Sequence, residues 1–462
     1  MPDAVPYTAR MSRDSRRVRG VWPGLMAVAV LTAAASVAAQ DWPQWRGPGS
    51  AAISTEAPLP TTWSATEHLA WRAPLAGAGT SSPIVVGDRV IVTSQVGHAP
   101  VAGGGGQPRL ARDDRSLAGR EAAIAEADPG AAGALTLVVE AFDRVSGRPV
   151  WAHRAAAVGP FPELHEKHNL ATPTPLADGE RVYAWFGNGQ LVALALADGR
   201  PVWSRHLGTE YAPFDAQWGH GSSPARYRDL VILLCDHRTS SYLLALDAKT
   251  GRERWKVARG SGRVSHSTPV VIPGPRGDEL LVNSSARIDA YDPATGAALW
   301  FAGSERQTPI PSAVFHDGRI FLSRGYRNSD VLAIRPGGRG DVTATHVDWT
   351  APNGGSYVPS IVYYDGLLYM TNEVGIVTAI DASTGAKVWQ RRLGGVFFAS
   401  PVAGDGKVYF VSETGETFVL KAGRTAEVLA TNDLGERFLA SPAMAGGRIF
   451  LRSDRTLFAV GR

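Results

Sequence analysis

Histidines recur at one kind of position in this sequence, shortly before a proline-marked stretch of apolar residues. They are His168 in HEKHNLATPTP, His220 in QWGHGSSP and His266 in VSHSTP. Imidazole and carboxylate ligands suit zinc or iron-type ions, and histidines also contact anionic ligands. The spacing matches no recognised metal motif, so histidines bonded to loop backbone are the simpler interpretation. The candidates from these segments are His165, Glu166, His168, His220, Asp236, His237 and His266.

A second polar group lies in SRGYRNSD, which contains Arg324, Tyr326, Arg327 and Asn328. Arginine forks and tyrosines together recognise carboxylate-bearing ligands or protein partners. A solvated polar rim is the simpler alternative. The polar residues that we expect on the same side of the molecule are Asn372, Glu373, Glu413 and Glu416.

The elements that must position these residues are short β-strands. Residues 357–389, YVPSIVYYDGLLYMTNEVGIVTAIDASTGAKVW, contain four runs of β-branched and aromatic residues separated by Gly, Asp and Asn turns. Such runs predict a four-stranded meander. One meander cannot bury both of its faces, so it requires similar units on either side.

Eight such blocks follow one another, each opening with a proline-marked strand, and the later blocks recur every 41 to 49 residues. This period predicts an all-β chain folded as a single eight-bladed β-propeller of four-stranded antiparallel blades. The eighth block holds only three strands. A lone strand in residues 68–75 is expected to complete it and to close the ring. A seven-bladed ring is the main alternative, if the degenerate seventh block is not a blade.

Several blocks share the pattern A-x-D-x-x-T-G-x-x-x-W, as in residues 245–255, 290–300 and 379–389. Asp and Thr side chains can bond turn backbone, Gly supplies a positive φ, and Trp can cover the neighbouring blade. The pattern resembles the tryptophan-docking repeat of the PQQ-like, or quinoprotein, propeller family. Its residues are Trp151, Trp203, Trp255, Trp300, Trp349, Trp389, Asp247, Gly251, Asp292, Gly296, Asp381 and Gly385.

The strand order predicts two different faces. Tight turns between the first and second, and the third and fourth, strands of each blade lie on one face, and longer loops lie on the other. Function is expected on the loop-rich face. An insertion in the first blade, residues 95–134, belongs to this face, where it is either a lid over the channel or a disordered, tolerated insertion.

The N-terminal residues 1–39 have the features of an export signal, with a basic lead, an apolar stretch and the sequence Val-Ala-Ala before Gln40. A membrane anchor is less consistent, because the apolar stretch is shorter than a span requires. Cleavage removes five arginines and two aspartates, so the net charge falls from +4 to +1. We therefore expect an exported, periplasmic or secreted protein with no stable membrane span and no nucleic-acid partner. Residues 40–67 are expected to pack on the propeller, which occupies residues 68–462.

The resemblance implies two functions. The first is a non-catalytic scaffold that binds a protein partner or small ligand on its loop-rich face, like the outer-membrane assembly branch of the family. The alternative is a PQQ-dependent dehydrogenase of alcohols or sugars, which holds PQQ with calcium over the channel. The sole cysteine, Cys235, excludes the adjacent cysteine pair of the alcohol-oxidising branch. No calcium ligand or catalytic base falls on a matching motif, so no cofactor is assigned and the scaffold is preferred.

Overall fold

The computed structural model describes residues 40–97, 135–216, 218–285, 287–304, 309–326 and 329–461. The predicted export signal, nearly all of the 95–134 insertion, Arg327 and Asn328 lie outside these residues. Within them, the strands form eight sheets, each built on four antiparallel strands; seven of these four-strand sets follow sequence order, and the eighth combines the first strand of the chain with the last three. The fold prediction of an eight-bladed β-propeller is confirmed.

The strands are numbered along the chain, and each blade is given from its innermost to its outermost strand. The strand that precedes the first blade is β1 (Leu69–Pro74). The strands of blades 1 to 4 are β2 (Ile84–Val86), β3 (Arg89–Val96), β4 (Thr136–Asp143), β5 (Pro149–Ala156); β6 (Leu176–Ala177), β7 (Arg181–Trp185), β8 (Gln190–Ala195), β9 (Pro201–His206); β10 (Ala225–Tyr227), β11 (Leu230–Cys235), β12 (Ser241–Asp247), β13 (Glu253–Gly260); β14 (Val270–Gly274), β15 (Gly277–Asn283), β16 (Ile288–Tyr291) and β17 (Ala298–Ala302).

The strands of blades 5 to 8 are β18 (Val314–His316), β19 (Arg319–Ser323), β20 (Val331–Ile334), β22 (Val347–Ala351); β23 (Val362–Tyr364), β24 (Leu367–Thr371), β25 (Ile376–Asp381), β26 (Lys387–Arg392); β27 (Val402–Gly404), β28 (Lys407–Val411), β29 (Glu416–Lys421), β30 (Val428–Asp433); β31 (Ala443–Ala445), β32 (Arg448–Arg452) and β33 (Thr456–Val460). The short strand β21 (Gly340–Asp341) pairs in parallel with β17. The helices are a 3₁₀ turn (Pro48–Ser50), α1 (Leu207–Glu210) and α2 (Thr343–His346).

The eighth blade takes its outer strand from the other end of the chain. Its order is β1-β33-β32-β31, and β1 pairs antiparallel with β33 from Leu69 opposite Val460 to Pro74 opposite Thr456. The pairing covers what would otherwise be an open sheet edge in the last blade. It also joins the first and last strands of the propeller to each other.

The core lies between neighbouring blades. Strands such as β11 and β12 are buried on both faces, because each sheet is sandwiched between two others. One apolar cluster joins side chains of blades 1 and 2, and another joins blades 2 and 3. Near-continuous apolar strands are expected for sheets covered on both sides.

The turn between the last two strands of blade 6 illustrates how the repeat motif joins blades. Asp381 Oδ1 accepts hydrogen bonds from the Ser383 amide at 3.1 Å and the Ser383 hydroxyl at 2.6 Å. Gly385 has a φ of +75°, and a Cβ there would lie 2.6 Å from the ring of Trp349 in blade 5. The Trp349 indole N–H donates to the Ala382 carbonyl at 3.2 Å. The bare glycine therefore lets an indole from the preceding blade lie against the turn.

Equivalent indole-to-carbonyl bonds, at 3.0 to 3.2 Å, join blade 8 to blade 1 and most other neighbours. The donors are Trp71, Trp151, Trp203, Trp255 and Trp389. Trp300 differs, because its indole donates to Glu279 of its own blade at 2.8 Å. Trp300 faces blade 5, whose turn after β20 lacks the motif sequence.

A belt of hydroxyl groups runs around the inner strands. At the start of each blade, a Ser or Thr amide donates to the hydroxyl of the corresponding residue in the next blade, at 2.8 to 3.0 Å. The belt residues are Ser82, Thr174, Ser223, Thr268, Ser312, Ser360, Ser400 and Ser441. Seven of the eight links are present, and the eighth hydroxyl, Ser82 Oγ, is buried without a partner. The gap lies between blade 1 and blade 8, the blade in which β1 pairs with β33 and closes the ring.

Candidate functional site

The first candidate lies on the loop-rich face, where the connection between blades 1 and 2 covers the entrance of the central channel. We call residues 158–169 of this connection the mouth loop. It is anchored just beyond its end, because the Leu170 amide donates to Gln95 Oε1 at 2.9 Å and its carbonyl accepts from Gly187 at 2.8 Å. The mouth loop is therefore fixed between blades 1 and 2 and extends from there over the channel.

Lys167, near the end of the mouth loop, reaches the far side of the ring. Its Nζ lies 2.8 Å from Glu413 Oε2 in blade 7 and 4.5 Å from the centre of the Phe398 ring. Glu413 also accepts two bonds from Arg437, at 3.0 and 2.6 Å, and its side chain is 3% exposed. The His165 amide of the same loop donates to the Trp218 carbonyl at 3.3 Å, in the crossing before blade 3, and blade 7 lies opposite blade 3. These two contacts hold the loop across the entrance.

The predicted histidines lie beneath and beside the mouth loop. His165 makes an edge contact with Trp218, with ring centres 5.7 Å apart, and His168 faces the crossing before blade 3. His220 and His237 are fully buried, with ring centres 6.0 Å apart, and both pack on Phe214. The structure thus brings the histidines together at the inner ends of blades 2 and 3.

Burial keeps these imidazoles neutral. It lowers the pKa of His168 to about 3 and that of His237 and His266 to about 4, and it lowers the pKa of His220 well below its usual value. Both nitrogens of His220 and His237 are buried without a hydrogen-bond partner. Of the three crossing histidines for which bonding to loop backbone is the simpler interpretation, His220 therefore makes no such hydrogen bond through its ring.

Asp236 is not available as a ligand, because it is committed to an ion pair. Its carboxylate lies 2.7 Å from Arg259 Nε and accepts from the Ser284 hydroxyl at 3.1 Å, and both charged side chains are fully buried. Burial alone would lower the pKa of Arg259, but the ion pair with Asp236 outweighs it and raises that pKa. Arg263 and Arg287 extend the network through Asp289.

Arg324 is also buried rather than on the rim. Its guanidinium donates to Asn283 Oδ1 at 2.5 Å and to the Ser304 carbonyl at 2.8 Å, so it links blades 4 and 5. Tyr326 packs against Tyr357, with ring centres 4.9 Å apart. Arg327 lies outside the described residues. Arg324 and Tyr326, the described members of the predicted arginine and tyrosine group, therefore make contacts between blades.

The opposite end of the channel is crossed by the N-terminal residues 40–54, which we call the N-terminal plug. Trp42 pairs with Val85 of β2, and Ile53 forms a bridge to Ala403 of β27, so the plug hydrogen-bonds the innermost strands of blades 1 and 7. The side chain of Arg46 extends to the carbonyl of Ile361 beside blade 6. Trp42 is fully buried and Arg46 is 2% exposed. The sequence analysis expected packing of this region but did not place it on the inner strands.

The residues at the channel mouth do not fit PQQ with calcium. PQQ is a tricarboxylate that requires available cations, and Lys167 and Arg437 are already paired with Glu413. Among the described residues, no group of three or more His, Cys, Asp or Glu side chains could hold a metal ion. We therefore assign no cofactor chemistry to the mouth.

The sequence matches a known protein family. The model of the family described as "Outer membrane protein assembly factor BamB" matches residues 136–391 and 373–461. The chain belongs to this family of PQQ-like propellers. A search of curated protein sequences gave no match.

Solved structures of the PQQ-like family share the fold at low identity. BamB from Moraxella catarrhalis is 15% identical, with a TM-score of 0.50, over 72% of this chain and 92% of that one. A europium-containing methanol dehydrogenase is 12% identical, with a TM-score of 0.61, over 89% of both chains. The quinohemoprotein alcohol dehydrogenase from Comamonas testosteroni is 14% identical, with a TM-score of 0.58, over 91% of this chain and 81% of that one. These likenesses establish the fold alone.

No helix among the described residues combines the length and apolar character needed to cross a membrane.

Proposed function

We propose that this PQQ-like propeller is an exported, non-catalytic scaffold that binds a protein partner through its loop-rich face. The observation that carries the proposal is the Lys167–Glu413 ion pair, which holds the mouth loop across the channel entrance. In an enzyme of this fold, the substrate would have to pass that entrance. Because the entrance is covered, a protein partner would be bound by the outer surface of the loops.

The mouth loop offers a suitable surface. Val158 is 50% exposed and Phe161 is 38% exposed, next to the exposed carboxylates Glu163 and Glu166. Exposed aromatic side chains on a supported loop are typical contributors to binding energy at protein interfaces. The acidic neighbours favour a partner segment that carries basic residues.

A site-specific photo-crosslinker tests the proposal. It would replace Phe161 on the mouth loop or, as the matched control, Val145, which is 68% exposed in the β4–β5 turn on the other face. We expect one discrete crosslinked protein in cells exporting the Phe161 probe and none with the Val145 probe. The same product from both positions, or none from either, would contradict recognition by the loop-rich face.

The alternative function is a PQQ-dependent dehydrogenase. Its support is the fold likeness to the dehydrogenases, which extends over about nine-tenths of this chain. Purified mature protein would be titrated with PQQ and Ca²⁺ and assayed for dye-coupled oxidation of alcohols and sugars. Tight binding with turnover would overturn the scaffold proposal, whereas no binding and no turnover would leave it standing.

A further inference from the structure

The N-terminal plug buries a positive charge for which the described residues supply no counter-ion. Arg46 is 2% exposed, and its Nη2 donates to the carbonyl of Ile361. Its Nε and Nη1 are buried without any hydrogen-bond partner. The Arg46 backbone has a φ of 61°, a conformation that a residue with a side chain rarely adopts. The chain thus accepts local strain at the residue whose guanidinium enters the channel.

Other buried arginines of this propeller are compensated. Arg259 pairs with Asp236 at 2.7 Å and with Asp289 at 3.3 Å. Arg452 donates to the Ser81 and Ser94 hydroxyls at 2.6 and 3.2 Å and lies in the field of Glu140. For Arg46, no carboxylate of the described segments lies within ion-pair distance, and its single bond is to a neutral carbonyl.

Arg46 does not become neutral by losing its proton. Burial lowers the pKa of Arg46 to about 9, which leaves the guanidinium charged at neutral pH. An uncompensated buried charge costs several kcal/mol, on the order of the stability of a whole domain. A water molecule can accept one of the free N–H bonds but does not cancel the charge, whereas an anion does both.

The neighbouring unsatisfied groups have the same character. The indole nitrogens of Trp42 and Trp45 are also buried without partners. Indole and guanidinium nitrogens only donate hydrogen bonds. The unpartnered side-chain groups of residues 42–46 are therefore all donors, and a ligand of Arg46 must supply acceptors. An arginine fork matches two oxygens of one oxyanion particularly well.

We propose that a small oxyanion of the phosphate or sulfate class binds in the channel against the guanidinium of Arg46. It sits beside the inner strand of blade 6, with the plug on one side and the mouth loop closing the far end. The anion neutralises Arg46 and accepts the hydrogen bonds that Ile361 leaves unused. Because Arg46 is buried beneath the plug, the anion exchanges slowly and acts as a structural component of the ring.

Two measurements on the full mature protein test the site. First, extensively desalted protein is denatured, and the released anions are quantified by ion chromatography. Second, protein refolded without oxyanions is titrated with phosphate or sulfate, with unfolding temperature as the readout and chloride at equal ionic strength as the reference. The variants are Arg46→Met, which removes the charge, and Arg200→Met, which removes an exposed arginine of the tight-turn face.

We expect close to one phosphate or sulfate per chain from the wild type and from R200M. In R46M, we expect the unfolding temperature to respond only at oxyanion concentrations at least ten times higher than in the wild type. If R46M does not fold, ion chromatography and the wild-type titration decide alone. No released oxyanion together with no response beyond that to chloride would overturn the proposal, and so would an equal response in R46M and the wild type.

Discussion

The two ends of the central channel are closed by opposite means. At the tight-turn end, the N-terminal plug joins the inner strands through main-chain pairing, at Trp42 with Val85 and at Ile53 with Ala403, and buries an indole completely. At the loop-rich end, the mouth loop is held over the channel by the side chain of Lys167, which is 26% exposed, on Glu413. Backbone pairing and apolar burial persist in all conditions in which the domain is folded. A partly exposed ion pair contributes about 0–1 kcal/mol and weakens in salt.

Of the two ends of the channel, the loop-rich end is the one that can respond to a partner. The plug contributes to the core, so it opens only with global unfolding. The mouth loop can detach in a local opening of low free energy, which leaves the blades intact. A scaffold with one fixed and one adjustable end keeps its shape while its binding surface adapts.

The largest expected effect is at the fixed end. Trp42→Ala should lower the free energy of unfolding by about 3–5 kcal/mol, because it leaves a cavity in the core between the plug and blade 1. Urea-induced unfolding of the mature protein measures the loss. The matched change, Trp45→Ala, removes a partly exposed indole from the same segment and should cost clearly less. Equal losses, or none, would remove the distinction between the two ends.

A second test concerns the turns that share the tight-turn face with the plug. Gly385→Ala should cost about 2–4 kcal/mol, since the new methyl group meets Trp349 in addition to the positive-φ strain. Gly366→Ala has nearly the same φ, +78°, with open space around it, and should cost only about 1–2 kcal/mol. Thermal and urea unfolding of the pair give the difference. If both variants lose the same stability, the contact between blades at this turn is not well packed.

The buried histidines at the loop-rich end predict a pH dependence. Their folded pKa values lie below the unfolded value of about 6.5, so the unfolded chain binds more protons as pH falls. Their contribution to stability is complete above pH 6.5 and is lost toward pH 4, by about 1.4 kcal/mol per pH unit for each such group. His237→Phe should reduce the slope of unfolding free energy against pH between 6.5 and 4.5. The control is His316→Phe, which changes a partly exposed histidine of β18, and an identical slope in all three proteins would contradict burial of His237.

The smallest effect on stability is expected at the ion pair itself. Lys167→Met should change the free energy of unfolding by less than about 1 kcal/mol, because Glu413 keeps its bonds to Arg437. Hydrogen exchange at the mouth loop should nevertheless become faster, by up to about tenfold, while the plug stays protected. Lys387→Met, on the outer strand of blade 6, is the control. Unchanged exchange in the mouth loop would show that the ion pair does not hold it.

Much of the ring could be predicted from the sequence. The period of the proline-marked strands and the motif turn identify the blades, because both are local patterns that each unit repeats. The three-stranded last block pointed to a partner strand, and β1 does pair with β33. The strand boundaries were less exact, because residue types alone do not fix where pairing starts; within residues 357–389, the first strand, β23, begins only at Val362.

The site was predictable only in part. His165, His168, His220 and His266 share the loop-rich side as expected, but periodicity gives no information on depth, and His220 and His237 turned out to be core residues. Asp236 and Arg324 are engaged with Arg259 and Asn283, which belong to distant parts of the sequence or to another blade. The Lys167–Glu413 contact joins residues 246 positions apart. Such contacts follow from the circular arrangement of blades and have no local signature.

The hydroxyl belt was visible in the sequence as a Ser or Thr beside each opening proline, although its role was not. The missing belt link, between Ser441 and Ser82, adjoins blade 8, and within that blade the first and last strands of the propeller are joined by noncovalent pairing of β1 with β33. Under tension or heat, we therefore expect the ring to open between β1 and β33 and the blades to separate in turn from there. A covalent linker between residues 69 and 460 would stabilise the whole ring, because it would secure that one pairing.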